Sequence, residues 1–219
     1  MLQSDKLHII HLLNFYINPL LTGSVVAAAV SVPLQAAIFD TTGSSSVADS
    51  GWSAGTTFSQ GQLIHLGWES VINSVGFQWK KFTPTATGAI SWSIYTDQAG
   101  APGTPVSGGA IGVLDVSTLT SSYTTVSFSS LAITLSPNTD YWVVFAKSGP
   151  LTGTVLTTYS TFPTGTGGPF NAWQSDAGTI PGVSFIGTVT AVPEPGSYAF
   201  VGGLGLVGFG LWRQSRRNA

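Results

Sequence analysis

From Leu63 onward the chain alternates between apolar and polar side chains. Val75, Phe77 and Trp79 are large and apolar, with Ser74, Gly76, Gln78 and Lys80 around them. Ile90, Trp92 and Ile94 repeat the pattern against Ser91, Ser93 and Tyr95. A period of two with one apolar face is that of a strand lying on a core. The pattern predicts strands at Leu63–Leu66, Val71–Phe82, Ile111–Val116, Tyr123–Phe128, Leu131–Leu135, Thr154–Tyr159, Phe170–Gln174 and Val183–Val189. Tyr141–Ala146 differs from the rest. Tyr141, Val143 and Phe145 take one face and Trp142 and Val144 the other, which predicts a central strand with large residues on both sides. Asp97–Pro105 reads as a turn or loop, Ser136–Thr139 as a turn and Phe162–Gly168 as a glycine-rich loop. No long amphipathic helix interrupts this part of the chain. About eight or nine short strands at roughly ten-residue spacing predict an all-β fold, an antiparallel β-sandwich of jelly-roll type. The absence of a tandem repeat argues against a solenoid or propeller.

Both ends depart from the pattern. Residues 1–37 predict an export signal helix: Lys6 near the start, an apolar run broken into Leu7–Leu13, Phe15–Ile17 and Leu20–Val32, then small residues at Ala36 and Ala37, where cleavage is expected. His8 and His11 have a metal-ligand spacing on a helix, but they lie in the segment to be discarded. A single sandwich domain is expected over 38–190, with Asp40–Thr56 as a Gly/Ser/Thr-rich lead-in whose one large apolar residue is Trp52. The segment 191–219 has three parts. Val192-Pro193-Glu194-Pro195 comes first, and its prolines stop a helix from running backward. An uncharged stretch follows at 196–212, about 25 Å long as a helix and predicted to enter a bilayer core of about 30 Å. Arg213, Arg216 and Arg217 stand where an inner-face basic stop belongs.

These three parts, in this order at Val192–Arg217, resemble the PEP-CTERM sorting signal of Gram-negative bacteria. The same kind of tail is also catalogued as an ice-binding protein C-terminal domain, although the tail itself does not bind ice. The resemblance implies a precursor held in the inner membrane and an exosortase, a membrane enzyme, acting near Pro193-Glu194-Pro195. It also implies a final place at the outer surface or in an exopolysaccharide biofilm matrix. A second resemblance covers the middle of the chain. Leu135-Ser136-Pro137-Asn138-Thr139-Asp140-Tyr141-Trp142-Val143-Val144, with Phe128-Ser129-Ser130-Leu131 and Val75-Gly76-Phe77, is similar to the extracellular choice-of-anchor domains. It implies a β-sandwich ectodomain and carries no site residues.

Charge changes the picture by its scarcity. Only 7% of residues are charged, and between the two ends the acids outnumber the bases. Lys80, Lys81 and Lys147 provide no field for a phosphate backbone, so nucleic acid is not an expected partner. There is no cysteine, hence no disulfide or thiolate chemistry. His65 stands alone between Ile64 and Leu66, no serine occupies a nucleophile motif, and no cofactor motif is present. Scattered aspartates such as Asp40 and Asp49 could supply oxygen to calcium, without an EF-hand loop to organise them. A secreted hydrolase would need Glu69 to face Asp97, Asp140 or Asp176 across a groove. An ice-binding face would need a threonine ladder, of which Thr124-Thr125 and Thr157-Thr158 are only fragments. The expectation is a non-enzymatic surface or matrix protein, structural or adhesive. The alternative is a carbohydrate-binding module, with Trp52, Trp68 and Trp173 as possible contacts beside Asn171 or Asp176.

Overall fold

The computed structural model describes residues 36–193 and Arg213. Fourteen strands form two antiparallel sheets. One sheet holds β1 (Ala36–Asp40), β2 (Ala48–Ser53), β4 (Ser70–Lys81), β7 (Thr124–Phe128), β8 (Ile133–Leu135), β10 (Thr154–Ser160), β13 (Ser184–Phe185) and β14 (Gly187–Pro193). The other runs in the order β12 (Gly178–Pro181), β11 (Asn171–Gln174), β3 (Gln60–Leu66), β9 (Thr139–Lys147), β5 (Ala89–Gln98), β6 (Ala101–Asp115). Among the described residues a single 3-10 turn, at Val116–Thr118, interrupts the strands, with the Asp115 carboxylate accepting from Ser117 N at 2.8 Å. Among the described residues no helix is long and apolar enough to cross a membrane. The expected signal helix (1–35 of it) and the expected membrane helix at 196–212 lie outside the described residues.

The alternating positions meet between the sheets. Phe77 and Trp79 of β4, Trp92 of β5 and Phe145 of β9 are almost fully buried there. Their rings pack mostly edge to face, Phe77 against Phe145 at 4.9 Å and Trp92 against Phe145 at 5.0 Å between centroids. Strand β9 is central, between β3 and β5. Its Tyr141, Val143 and Phe145 enter this core, while Trp142 and Val144 form a second cluster with Leu63 on the opposite face.

Strand β4 is the spine of the first sheet. Along Ser70–Phe77 it pairs with β14, and along Trp79–Lys81 with β10. On its other edge lie β7 and β8. The first sheet forks where β14 and β10 part. The segment expected as one strand, Val183–Val189, is instead two, because the chain reverses at Ile186. Ile186 N donates to Thr158 O at 3.0 Å and Gln78 N donates to Ile186 O at 3.0 Å, so the reversal is wedged between β4 and β10. Thr41, fully buried just after β1, holds the wedge. Its hydroxyl donates to Phe185 O at 2.8 Å and accepts from Gly187 N at 3.1 Å, and its own N donates to Gly187 O at 2.9 Å.

Other expectations are corrected. Of the expected turn or loop at Asp97–Pro105, only Ala99 and Gly100 form a turn, and the residues on either side belong to β5 and β6. Ala99 and Gly100 have φ of 55° and 83°, the left-handed pair that matches strand twist. Pro102 and Pro105 lie in β6 because it is an edge strand, where an absent N–H breaks no ladder on the open side. The lead-in contains β2, and β1 starts at Ala36, so the strands span 36–193 where 38–190 was expected. The loop after β10 does contain the expected glycines. Gly165 and Gly167 have φ of 128° and 93°, and any Cβ there would collide with the Asp40 and Ile38 carbonyls. The loop thus lies against β1, bridging Thr166 to Asp40.

Candidate functional site

Strand β14 carries the chain out of the sandwich. Val189 and Ala191 are buried in the sheet, and Thr190 shares a 2.6 Å hydroxyl hydrogen bond with Ser74. Val192 is half-buried opposite Val71, and Pro193, opposite Ser70, is the last paired residue among the described ones. Proline ends the strand because it offers no N–H to the ladder and restricts its predecessor to extended backbone. On the neighbouring β1, Ala36 pairs with Ala191. The first two residues of the expected sorting element are therefore part of the folded body. Glu194, Pro195, Arg216 and Arg217 lie outside the described residues, and Arg213 is exposed.

Of the three tryptophans considered as sugar contacts, Trp52 is buried, Trp68 is exposed and Trp173 borders a cleft. Trp52 has no exposed area; it packs on Phe58 and Trp79, and its indole N–H donates to Gln60 Oε1 at 2.7 Å. Burial leaves it no ring face for a ligand. Trp68 lies in the β3–β4 turn and is 44% exposed. Trp173 of β11 packs on the second cluster, beside Leu63, Trp142 and Val144.

A different constellation forms at the open edge between the sheets. A cleft of about 300 Å³ is bordered by Ser50 of β2, Gln60 of β3, Tyr159 of β10, Gln174 of β11, Ile180 of β12 and Phe185 of β13. Polarity here is organised by a relay of amides. Gln60 takes the Trp52 N–H, then donates to Ser50 Oγ and to Gln174 Oε1, the latter at 2.9 Å. Gln174 in turn donates to Asp176 Oδ1 at 2.6 Å. Each amide is oriented by the next, from the buried indole to the surface. The neighbouring Gln62, wholly buried, joins the sheets by accepting from Phe185 N at 2.9 Å and donating to Asn171 O at 3.2 Å. The sequence signal was available. Gln60 and Gln62 fall on the inward face of β3, where Ile64 and Leu66 are apolar, and a buried amide must find partners.

The remaining titratable groups are engaged separately. His65 Nδ1 and Asp140 Oδ1 are 2.7 Å apart across β3 and β9, both well exposed. Asp97 accepts from Trp142 Nε1 at 2.7 Å and from Gly100 N at 3.2 Å. Asp40 accepts from Thr42 N at 2.9 Å. Asp49 pairs with Lys80 at 3.4 Å, and Lys80 Nζ stands 4.2 Å from the Tyr123 ring centre. Burial, with the Asp49 carboxylate adding to it, raises the Tyr123 pKa above its ordinary value. The Ser117 hydrogen bonds lower that of Asp115. Among the described residues no group of three or more histidines and carboxylates gathers to hold a metal ion. Thr157 and Thr158 are both buried and contribute nothing to a flat threonine face.

No curated protein matches the chain. The family model of the PEP-CTERM protein-sorting motif matches residues 191–217. That motif marks a protein for export through the membrane and for processing by an exosortase. The match begins at Ala191, inside β14, so it overlaps the last three paired residues of that strand, Ala191 to Pro193. Residues 191–217 are thus a PEP-CTERM protein-sorting motif, attached without a spacer to the last strand of an antiparallel β-sandwich.

Proposed function

We propose that the protein is a non-enzymatic structural or adhesive component of the cell surface or extracellular matrix, delivered there by its sorting motif. The observation that supports this reading most is the junction at Pro193. A rigid sheet runs to the first proline of the motif, so the folded body leaves the membrane as one unit when the tail is removed. The uncharged stretch 196–212 serves as the temporary membrane segment, and Arg213, Arg216 and Arg217 retain it by the cost of moving a cation through hydrocarbon. Glu194, between two prolines, is the recognition element. The separate engagement of Glu69's expected partners, Asp97, Asp140 and Asp176, favours this reading over a hydrolase. A jelly-roll arrangement is part of this proposal; it is supported by the links β3–β4, β4–β5, β6–β7 and β8–β9, each of which passes from one sheet to the other.

Glu194→Ala in the native host tests the reading. Wild-type protein is expected outside the inner membrane as a shortened form, and the variant as full-length protein in the inner membrane. Equal processing of both would show that Glu194 is not recognised.

A further inference from the structure

We propose that the cleft between the sheet edges binds a neutral saccharide unit of one or two rings. Three properties of the cleft lead to this ligand class. Its volume, about 300 Å³, lies at the small end of ligand sites and excludes an extended chain from lying wholly inside. Its walls are mixed in the manner a pyranose requires. Tyr159, Ile180 and Phe185 present apolar surface for the C–H face of a ring. Ser50, Gln174, Tyr159 and Thr161 present uncharged hydroxyls and an amide for its hydroxyls.

The third property is preorganisation. Ser50 Oγ accepts from Gln60 and keeps its own proton to donate. Gln174 uses one amide hydrogen on Asp176 and keeps the other. These donors are oriented before any ligand arrives, because the relay is fixed at its buried end by the Trp52 indole. Fixed donors reduce the ordering cost of binding. Charge selects a neutral ligand: Asp49, the one carboxylate on the lining, is already paired with Lys80. A sugar acid would meet no free cation here. Of the tryptophans that composition suggests, Trp173 borders this site and Trp52 orients its relay from beneath. The site belongs to the folded body alone, so it stands or falls separately from the sorting of the tail.

Saturation-transfer NMR on the full chain in mild detergent tests it, with D-glucose, D-galactose, D-mannose and N-acetyl-D-glucosamine as separate probes. At least one is expected to receive saturation at its ring C–H protons with a millimolar Kd. Tyr159→Ala is expected to weaken that sugar roughly tenfold and Thr161→Val a few-fold, while Trp68→Phe leaves it unchanged. Thr161, in the loop after β10, decides the matter if Tyr159→Ala does not fold. No transfer to any of the four sugars would overturn the proposal. So would binding that Thr161→Val and Tyr159→Ala leave intact, or that Trp68→Phe abolishes.

Discussion

Thr41→Val is the sharpest perturbation of the junction between the sandwich and its sorting motif. Valine has nearly the same shape as threonine, so the change removes a hydroxyl and almost nothing else. That hydroxyl is fully buried and bonds both legs of the reversal at Ile186, donating to Phe185 O at 2.8 Å and accepting from Gly187 N at 3.1 Å. Valine would strand the buried Gly187 N–H and leave the Phe185 carbonyl with Ser184 Oγ alone, at 3.1 Å. The stranded group costs about 1–3 kcal/mol and the lost hydrogen bond about 1 kcal/mol. The extra apolar surface returns about 1 kcal/mol, so a net loss of about 2 kcal/mol is expected. Thr41→Ser keeps the hydroxyl and loses one buried methyl, at about 1 kcal/mol. Urea denaturation of the full chain in mild detergent, followed by tryptophan fluorescence, reads both through the midpoint at unchanged slope. A serine variant as unstable as the valine variant would show that packing holds the wedge. A valine variant within about 0.5 kcal/mol of wild type would refute the reasoning outright.

Two other outcomes follow from the same structure. Trp52→Phe keeps most of the ring but removes the donor to Gln60 Oε1; a loss of about 2 kcal/mol is expected in the same assay, and a loss below about 0.5 kcal/mol would show that the relay does not depend on its buried end. Tyr123 has a folded-state pKa raised above its ordinary 10.0, so its contribution is fully present below that pH and declines as pH rises further. Its phenol is expected to ionise above the ordinary pH of 10.0, read as the absorbance difference between wild type and Tyr123→Phe, and Tyr123→Phe should flatten the alkaline loss of stability; ionisation of Tyr123 at or below that pH would contradict this.

The class of fold was legible because large apolar residues alternate in β4 and β5 and occupy both faces of β9. The ends of the strands were less so. β2 contains one large apolar residue, Trp52, among Ala, Asp, Ser and Gly, and its pairing with β10 comes from backbone hydrogen bonds that leave little pattern. β6 was hidden by Pro102 and Pro105, which only its edge position permits. The division of Val183–Val189 depends on Thr41, well over a hundred residues earlier, and no local signal announces it. Sequence pattern also located the sorting motif, because its three features are local and adjacent. The cleft was not legible in the same way. Its side chains come from β2, β3, β10, β11, β12 and β13, and in advance only Trp173 and the inward Gln60 of β3 point to it.

Intact-mass analysis of the protein recovered from its native host tests most directly whether 191–217 acts as a removable address on a folded body. The mature form is expected to end near Pro193-Glu194-Pro195, lacking the apolar stretch and its arginines. A recovered mass that still includes Gly196 to Ala219 would contradict removal and identify a permanent anchor.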